Sequence, residues 1–439
     1  MILDELILYT SLQKDPLPEM LAPLMETDAS GASVLRRDLP AESLRSKLFS
    51  LLRILSEAAG TYGFHGNLWH CYLVNLLVND ENSFSISCEG RGAVEGTVND
   101  LALHDMGILQ CLFSLDLAES AERAKVPELG LILDYHPTQI ESHSYNSRIR
   151  EVLCDLAGAL GNVKDPGTMK ALLEDFYRRF GVGRFGLHKS FRIVSGEEGP
   201  KIVPILNIKH VKLADLVGYE SAKQKLTENT DAFVEGRKAN NCLLFGDAGT
   251  GKSSCIKAIA NEYFERGLRV IEIYKHQFRD LQAVIAAIKN RNYRFVIYMD
   301  DLSFEDFETE YKYLKAVIEG GLEKRPENVL IYATSNRRHL IRENFSDRDD
   351  DDKTGTDTVQ EKLSLSFRFG VTIYFGKPDK NEYLEIVKTL AQREHTLLPE
   401  EELIAEALRW ELSHGGRSGR TAQQFIDHLL SITGEDNGQ

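Results

Sequence analysis

The chain has 439 residues, 42% of them hydrophobic and 27% charged, with a formal net charge of −15. This length exceeds what one hydrophobic core usually supports, so two or three globular domains are expected rather than a disordered or fibrous chain. The balance of 52 Lys+Arg against 67 Asp+Glu argues against broad nonspecific nucleic-acid binding, although a local basic patch stays possible.

The first residues, "MILDELILYTSLQKD", carry acids where a signal peptide carries positive charge, and no small-residue cleavage site follows. No apolar run approaches the ~18 residues of a membrane span. No membrane association is expected, and the cytoplasm is the expected compartment. Six scattered cysteines without a Cys-x-x-Cys pair predict neither a disulfide framework nor a zinc cluster. His65 and His70 beside Cys71 lack a fourth partner and read as packed or surface groups.

Residues 1–190 predict a mostly helical domain. In "AESLRSKLFSLLRILSEAAG", Leu44, Leu48, Leu51, Leu52 and Leu55 recur at spacings of three and four, a stripe ending at Gly60. "GNLWHCYLVNLLV" and "SRIREVLCDLAGAL" repeat the theme. Such stripes build cores, so no chemistry is assigned here and binding of a protein partner is the expected role. "GVGRFG", Gly181 to Gly186, matches a dinucleotide fingerprint but follows the helical pattern "MKALLEDFYRRF" instead of a strand. Gly181 therefore reads as a helix C-cap.

"SGEEGPKIVPILN" is rich in Gly and Pro and marks a linker or short hairpin over 191–210. Beyond it, "NCLLFG", "LRVIEIY", "RFVIYMD", "NVLIYATS" and "VTIYFG" alternate with helical segments, the pattern of buried parallel strands. This predicts an α/β P-loop parallel-sheet core over 211–377. Three helical segments from Pro378 onward, 378–439, form a lid. "SDRDDDDK", Ser346 to Lys353, reads as a solvated loop.

"GDAGTGKS", Gly246 to Ser253, satisfies G-x-x-x-x-G-K-[ST] between a predicted strand and the helix "KSSCIKAIANEYFER", which Gly267 stops. Backbone N–H groups of Gly246, Asp247, Ala248, Gly249, Thr250 and Gly251 can turn inward around phosphates, and the helix start through Ser254 adds positive potential. Lys252 is placed to reach the β- and γ-phosphates and the Ser253 hydroxyl to bind Mg2+, so ATP with magnesium is the expected ligand. The acids of "FVIYMDDLSFEDFE" complete the requirement. Asp300, at the end of a buried strand, is the metal-side carboxylate and Asp301 the base that activates water. Glu305, Asp306 and Glu308 read as a hydrated helical face.

The order of these motifs resembles the AAA+ ATPases over roughly 211–430. In "LADLVGYESAKQKL" the resemblance places Val217, Gly218 and Tyr219 along the adenine. It makes "VLIYATSN" the sensor-1 strand, ending at Asn336, and "EKLSLSFRFGVTIYF" the segment carrying an arginine finger, Arg368, preceded by Phe367 where a polar residue is commoner. "HGGRSGRTAQQF" resembles the sensor-2 helix start, with Arg420 facing the phosphates and Arg417 as the alternative. More narrowly, "ANNCLLFGDAGTGKSS", "MDDLSFE" and "YATSNRRHL" resemble a bacterial AAA+ family catalogued as domain of unknown function 815.

The resemblance implies a homo-oligomer, a ring or helical array in which Arg368 enters a neighbour's site. Family members usually carry Glu where this chain has Asp301. The shorter side chain predicts slow turnover, unless Glu305 assists. No aromatic pore loop is visible between the second core strand and the tandem acids, and Tyr274 and Phe278 read as packing residues, which argues against a processive unfoldase. Three functions stay open: an ATPase that remodels or assembles a protein partner, a nucleotide-gated switch with little turnover, and a nucleic-acid-directed loader using Arg337, Arg338, His339 and Arg342.

Overall fold

Helix α1 (Ala41–Tyr62) forms where the leucines recur, and Leu44, Leu48, Leu51 and Leu55 are all buried. It continues past Gly60 because Gly63, not Gly60, adopts the left-handed conformation (φ 70°) that closes a helix. The protein is described by a computed structural model covering residues 2–22, 25–27, 33–36, 40–137, 145–196, 199–206, 208, 210–304, 310–319, 326–337, 340, 365–396 and 398–433. The chain divides into two units, Met1–His188 and Lys189–Gln439.

The first unit continues with α2 (Leu68–Asn79), α3 (Val98–Phe113), α4 (Leu117–Ala124), α5 (Ser147–Gly161) and α6 (Pro166–Phe180), preceded by an antiparallel pair, β1 (Met25–Thr27) and β2 (Ser33–Leu35). Side chains of Asn67, Asp116, Asn146 and Asp165 each accept a backbone N–H in the first turn of α2, α4, α5 and α6, which fixes where these helices begin. The stretch Val98–Ala124 is, among the described residues, long and apolar enough to cross a membrane by length and composition. Here it breaks into α3 and α4, and Ala102, Met106, Leu109 and Leu112 pack into the helical core. Asp105 on the same helix is fully buried and accepts the N–H groups of Ile7, Leu8 and Tyr9, tying the leading segment to the core. The histidines are likewise engaged locally. His65 pairs with Glu151 at 3.0 Å, and His70 Nε2 sits 2.9 Å from the Phe113 carbonyl. Gly181, at φ 76°, caps α6, so "GVGRFG" follows a helix and not a strand.

Among the described residues the second unit is built on a seven-stranded sheet: β3 (Ser190–Gly196), β4 (Gly199–Pro204), β5 (Cys242–Gly246), β6 (Leu268–Glu272), β7 (Arg294–Met299), β8 (Val329–Ser335) and β9 (Val371–Phe375). Their order is β4-β3-β6-β7-β8-β5-β9, antiparallel only between β3 and β4. The Gly- and Pro-containing segment after residue 190 is thus built into the sheet, with β3 pairing parallel to β6 from Ser190 to Arg192. All seven residues of β8 are buried, as expected of a parallel strand covered on both faces. Helices α7 (Glu220–Val234), α8 (Lys252–Glu262), α9 (Leu281–Ile288) and α10 (Glu310–Glu319) accompany the sheet. Gly267 does end the segment after the P-loop, through a short 3-10 turn following α8. Helices α11 (Lys380–Arg393), α12 (Glu400–Ser413) and α13 (Gly419–Thr433) close the chain around their own core of Tyr383, Val387, Ala407, Phe425 and Ile426. Because β5, β7 and β8 run parallel, their C-terminal ends open on one edge of the sheet, where ligands bind in open α/β folds.

Candidate functional site

The loop Gly246–Gly251 leaves the C-terminal end of β5 and enters α8. Two glycines there are steric requirements. Gly246 sits at φ 136°, and a Cβ would come within 2.1 Å of the Phe375 carbonyl on β9. Gly249, at φ 75°, faces the start of α13, where a Cβ would lie 2.9 Å from Ser418 Oγ and 3.1 Å from Arg420 Cβ. The Arg420 N–H donates to the Gly249 carbonyl at 3.2 Å, so the lid touches the crest of the loop. Thr250 is buried and donates from its hydroxyl to the Asp247 carbonyl at 2.8 Å. Asp247 in turn accepts the Lys377 N–H. Ala248 is exposed on the loop and Ser254 lies in the first turn of α8.

Lys252 is 6% exposed, and its ammonium donates to the carbonyls of Gly246 (3.0 Å) and Asp247 (2.6 Å) and to Asn336 Oδ1 (3.0 Å). Burial pulls its pKa down, while Asp301, Asp247 and Asp300 push back. Ser253 Oγ donates to Asp300 Oδ1 at 2.7 Å. The same carboxylate oxygen accepts the hydroxyls of Tyr298 (2.6 Å) and Thr334 (2.6 Å). Partial burial works against ionisation of Asp300. The hydroxyls of Thr334, Tyr298 and Ser253 outweigh it, with Lys257 nearby, and hold the carboxyl below its ordinary range.

Asp301 adopts a left-handed backbone, φ 48°. Asp and Asn tolerate that region better than longer side chains do, which gives a physical reason for Asp at this position. Asn336 Nδ2 donates to Asp301 Oδ1 at 2.7 Å. One asparagine thereby joins the lysine of β5's loop to the acid that follows β7.

Val217, Gly218 and Tyr219 run between two cores. Val217 packs with the lid cluster, and Tyr219 packs with the sheet cluster, its ring 5.3 Å from Phe375 and its hydroxyl donating to the Gly376 carbonyl. Gly218 (φ 77°) and Tyr219 (φ 59°) make the turn between them. Burial lifts the Tyr219 phenol to about 12, so it stays protonated. Arg393 of α11 clasps the same segment by donating to the carbonyls of Asp215 and Ala214.

The two lid arginines differ. Arg417 Nε donates to the buried Glu411 at 2.8 Å, whereas Arg420 stands at the loop crest. Arg368 is elsewhere. It follows the turn at 365–367, and β9 begins at Val371, which pairs with Cys242 at the start of β5. It therefore lies at the N-terminal end of the strands, with the length of β5 between it and Lys252. Five residues at ~3.3 Å each span about 16 Å, beyond an arginine's reach. Phe367 beside it is 80% exposed.

Tyr274 departs from the expectation of a packing residue. Ile273 fills the core and strand alternation turns Tyr274 outward, 46% exposed, its hydroxyl donating to Glu272. Phe278 is buried, edge-on to Phe304. Glu305, Asp306, Glu308, Arg338, His339 and Arg342 lie outside the described residues, and Arg337 is exposed next to Asn336. Tyr298, Thr334 and Arg393 carry no motif of their own. Strand parity was the signal for the first two, since Tyr298 and Thr334 stand two residues before Asp300 and Asn336 and share their faces, while helical Arg393 had none.

Among the described residues no group of three or more His, Cys, Asp or Glu could hold a metal ion. Magnesium at a phosphate site needs only one or two protein oxygens, the rest coming from phosphates and water. A serine hydroxyl against a carboxylate, beside a lysine and a helix start, fits that requirement.

A family model described as "Protein of unknown function (DUF815)" matches residues 187–433. The Replication factor C large subunit of Staphylothermus marinus is 34% identical over 87 residues, covering 19% of this chain and 20% of that protein. The Chromosomal replication initiator protein DnaA of Helicobacter acinonychis is 25% identical over 191 residues, covering 42% of this chain and 37% of that protein. The chain thus spans between 20% and 37% of the length of these two curated relatives. Among solved structures, the RuvB Holliday junction branch migration motor of Thermotoga maritima aligns with a TM-score of 0.38 and 16% identity, covering 52% of this chain and 68% of that one.

Proposed function

The chain belongs to the family described as Protein of unknown function (DUF815), within the AAA+ ATPases, and from that premise we propose that it binds Mg-ATP at the C-terminal edge of its sheet and hydrolyses it between subunits of a homo-oligomer. The observation that carries this reading is the junction at Lys252: one ammonium bonded to the P-loop carbonyls and to Asn336, which in turn holds Asp301.

Magnesium, when bound between Ser253 and Asp300, would neutralise charge on the phosphates. The loop amides and Lys252 bind and orient the triphosphate. Asp301 takes the proton of the attacking water, and Asn336 orients that water or the terminal phosphate. Val217, Gly218 and Tyr219 flank the adenine, and Arg420 carries the state of the phosphates into the lid. Arg368 supplies charge stabilisation to a neighbouring copy, because its own nucleotide is out of reach. The helical unit recruits the protein partner that the cycle remodels or assembles, in the cytoplasm.

A second reading, a nucleotide-gated switch with little turnover, is favoured by the Asn336 amide already bonded to Asp301. A third, a DNA loader, draws on exposed Arg337 and on relatives whose names concern replication. Phosphate release separates them. The ATPase reading expects specific activity that rises with protein concentration and is lost in Lys252→Ala. Tight ATP binding with negligible release at every concentration supports the switch, and salt-sensitive DNA binding lost in Arg337→Ala supports the loader.

A further inference from the structure

We propose that Thr334 is the positioning residue that holds the tandem aspartates in register, using its one hydroxyl to bond both. The inference deepens the nucleotide reading above and rests on it. Thr334 lies on β8, 1% exposed. Its Oγ1 donates to Asp300 Oδ1 at 2.6 Å and accepts the Asp301 N–H at 3.0 Å. The hydroxyl's hydrogen is spent on the metal-side acid and a lone pair on the backbone of the water-side acid. Its own carbonyl accepts the Leu302 N–H at 2.7 Å, and the Ser335 hydroxyl donates to the Leu302 carbonyl at 2.7 Å. The segment 300–302 is thus splinted to the end of β8.

That splint matters because Asp301 holds a left-handed backbone, a sparsely populated region that Asp tolerates but does not favour. The bond to Thr334 Oγ1 stands at the residue that makes the turn. On the other acid, Thr334 and Tyr298 together load Oδ1 with buried donors. With Ser253 also on Oδ1, the other oxygen, Oδ2, has no hydrogen bond among the described residues and is left open to a cation. Thr334 is not a catalytic residue: it acts only through Asp300 and Asp301.

The isosteric change Thr334→Val removes the donor and the acceptor without opening a cavity, and Thr334→Ser restores both. Three readouts are compared in the full chain. In hydrogen exchange without nucleotide, the peptide bearing the Asp301 amide should exchange about tenfold faster in Thr334→Val and return to wild type in Thr334→Ser. In calorimetry, ADP affinity without magnesium should stay within about twofold, while the tightening of ATP by Mg2+ should fall by about tenfold or more, the size expected for a lost bond to a charged group. In turnover, kcat should fall more than KM rises, with recovery in Thr334→Ser. If Thr334→Val does not fold, Tyr298→Phe takes only the second donor from Oδ1. It should weaken the magnesium-dependent tightening while leaving exchange at Asp301 unchanged. Unchanged exchange and tightening in Thr334→Val, or a Thr334→Ser as impaired as the valine variant, overturns the inference. Wild-type protein that binds no nucleotide overturns the functional reading itself, and the proposed role of Thr334 with it.

Discussion

The helical unit and the sheet unit use their polar side chains differently. In the helical unit, Asp105 is consumed by three backbone N–H groups, Trp69 Nε1 donates to the Leu112 carbonyl, and Tyr177 donates to the Leu77 carbonyl. Each such bond closes an internal debt of the fold. In the sheet unit the polar atoms converge instead on one strand edge, where Lys252, Ser253, Asp300, Asp301 and Asn336 bond one another. Mutual bonding among polar and charged side chains at a strand end is the arrangement a ligand can exchange into. In the helical unit, bonding of these buried side chains to backbone only holds shape.

That contrast can be broken by substitution. The largest effect is expected from Arg368→Ala, which should lower phosphate release by about 10³-fold or more while leaving ATP affinity unchanged. Adding Asp301→Asn protein, which retains Arg368, should restore part of the activity if the arginine works in a neighbour. Next, Asp301→Asn alone should cut release by about 10²–10⁴-fold, with the fold retained because Asn accepts a left-handed backbone. Both are read by single-turnover phosphate assays. In the helical unit, Trp69→Ala should cost about 3–5 kcal/mol in denaturant unfolding of that unit and leave ATP affinity unchanged.

The smallest effect sharpens the comparison through pH. Burial raises the pKa of Asp15, at the start of the segment Pro16–Leu21, against the opposing bonds from Leu17 and Tyr72. The folded state then binds more protons than the unfolded one above pH ~4, so this carboxyl's contribution to stability falls as pH rises through its folded pKa. Asp15→Asn keeps the helix cap and should flatten that decline in thermal melts between pH 4 and 7. Asp300 runs the other way: its lowered pKa contributes stability above the unfolded value, lost as pH falls through the folded one.

Much of this was legible in the sequence. The runs that became β5 to β8 read as parallel core strands because burial on both faces leaves them no alternation, whereas β9, at the sheet edge, alternates buried and exposed residues. The P-loop was legible because glycines at fixed spacing are steric requirements, as Gly246 against Phe375 shows. The pairing of β3 with β6 was not, since a parallel neighbour far along the chain leaves no local trace. Nor was the φ of Asp301, which depends on a hydroxyl from another strand. Thr334 and Tyr298 are ordinary strand residues until the sheet order brings β7 beside β8. The placement of Arg420 against the loop and of Arg417 against Glu411 likewise depends on how the lid packs, which no spacing within "HGGRSGRTAQQF" encodes.

The central claim is a nucleotide seat governed by one lysine at the strand edge. Calorimetric titration of Mg-ATP into wild-type and Lys252→Ala protein, both verified as folded, tests it most directly. Saturable heat at one site per chain, abolished by the substitution, is the predicted result. Absence of heat in the wild type, or the same isotherm in both proteins, contradicts the account.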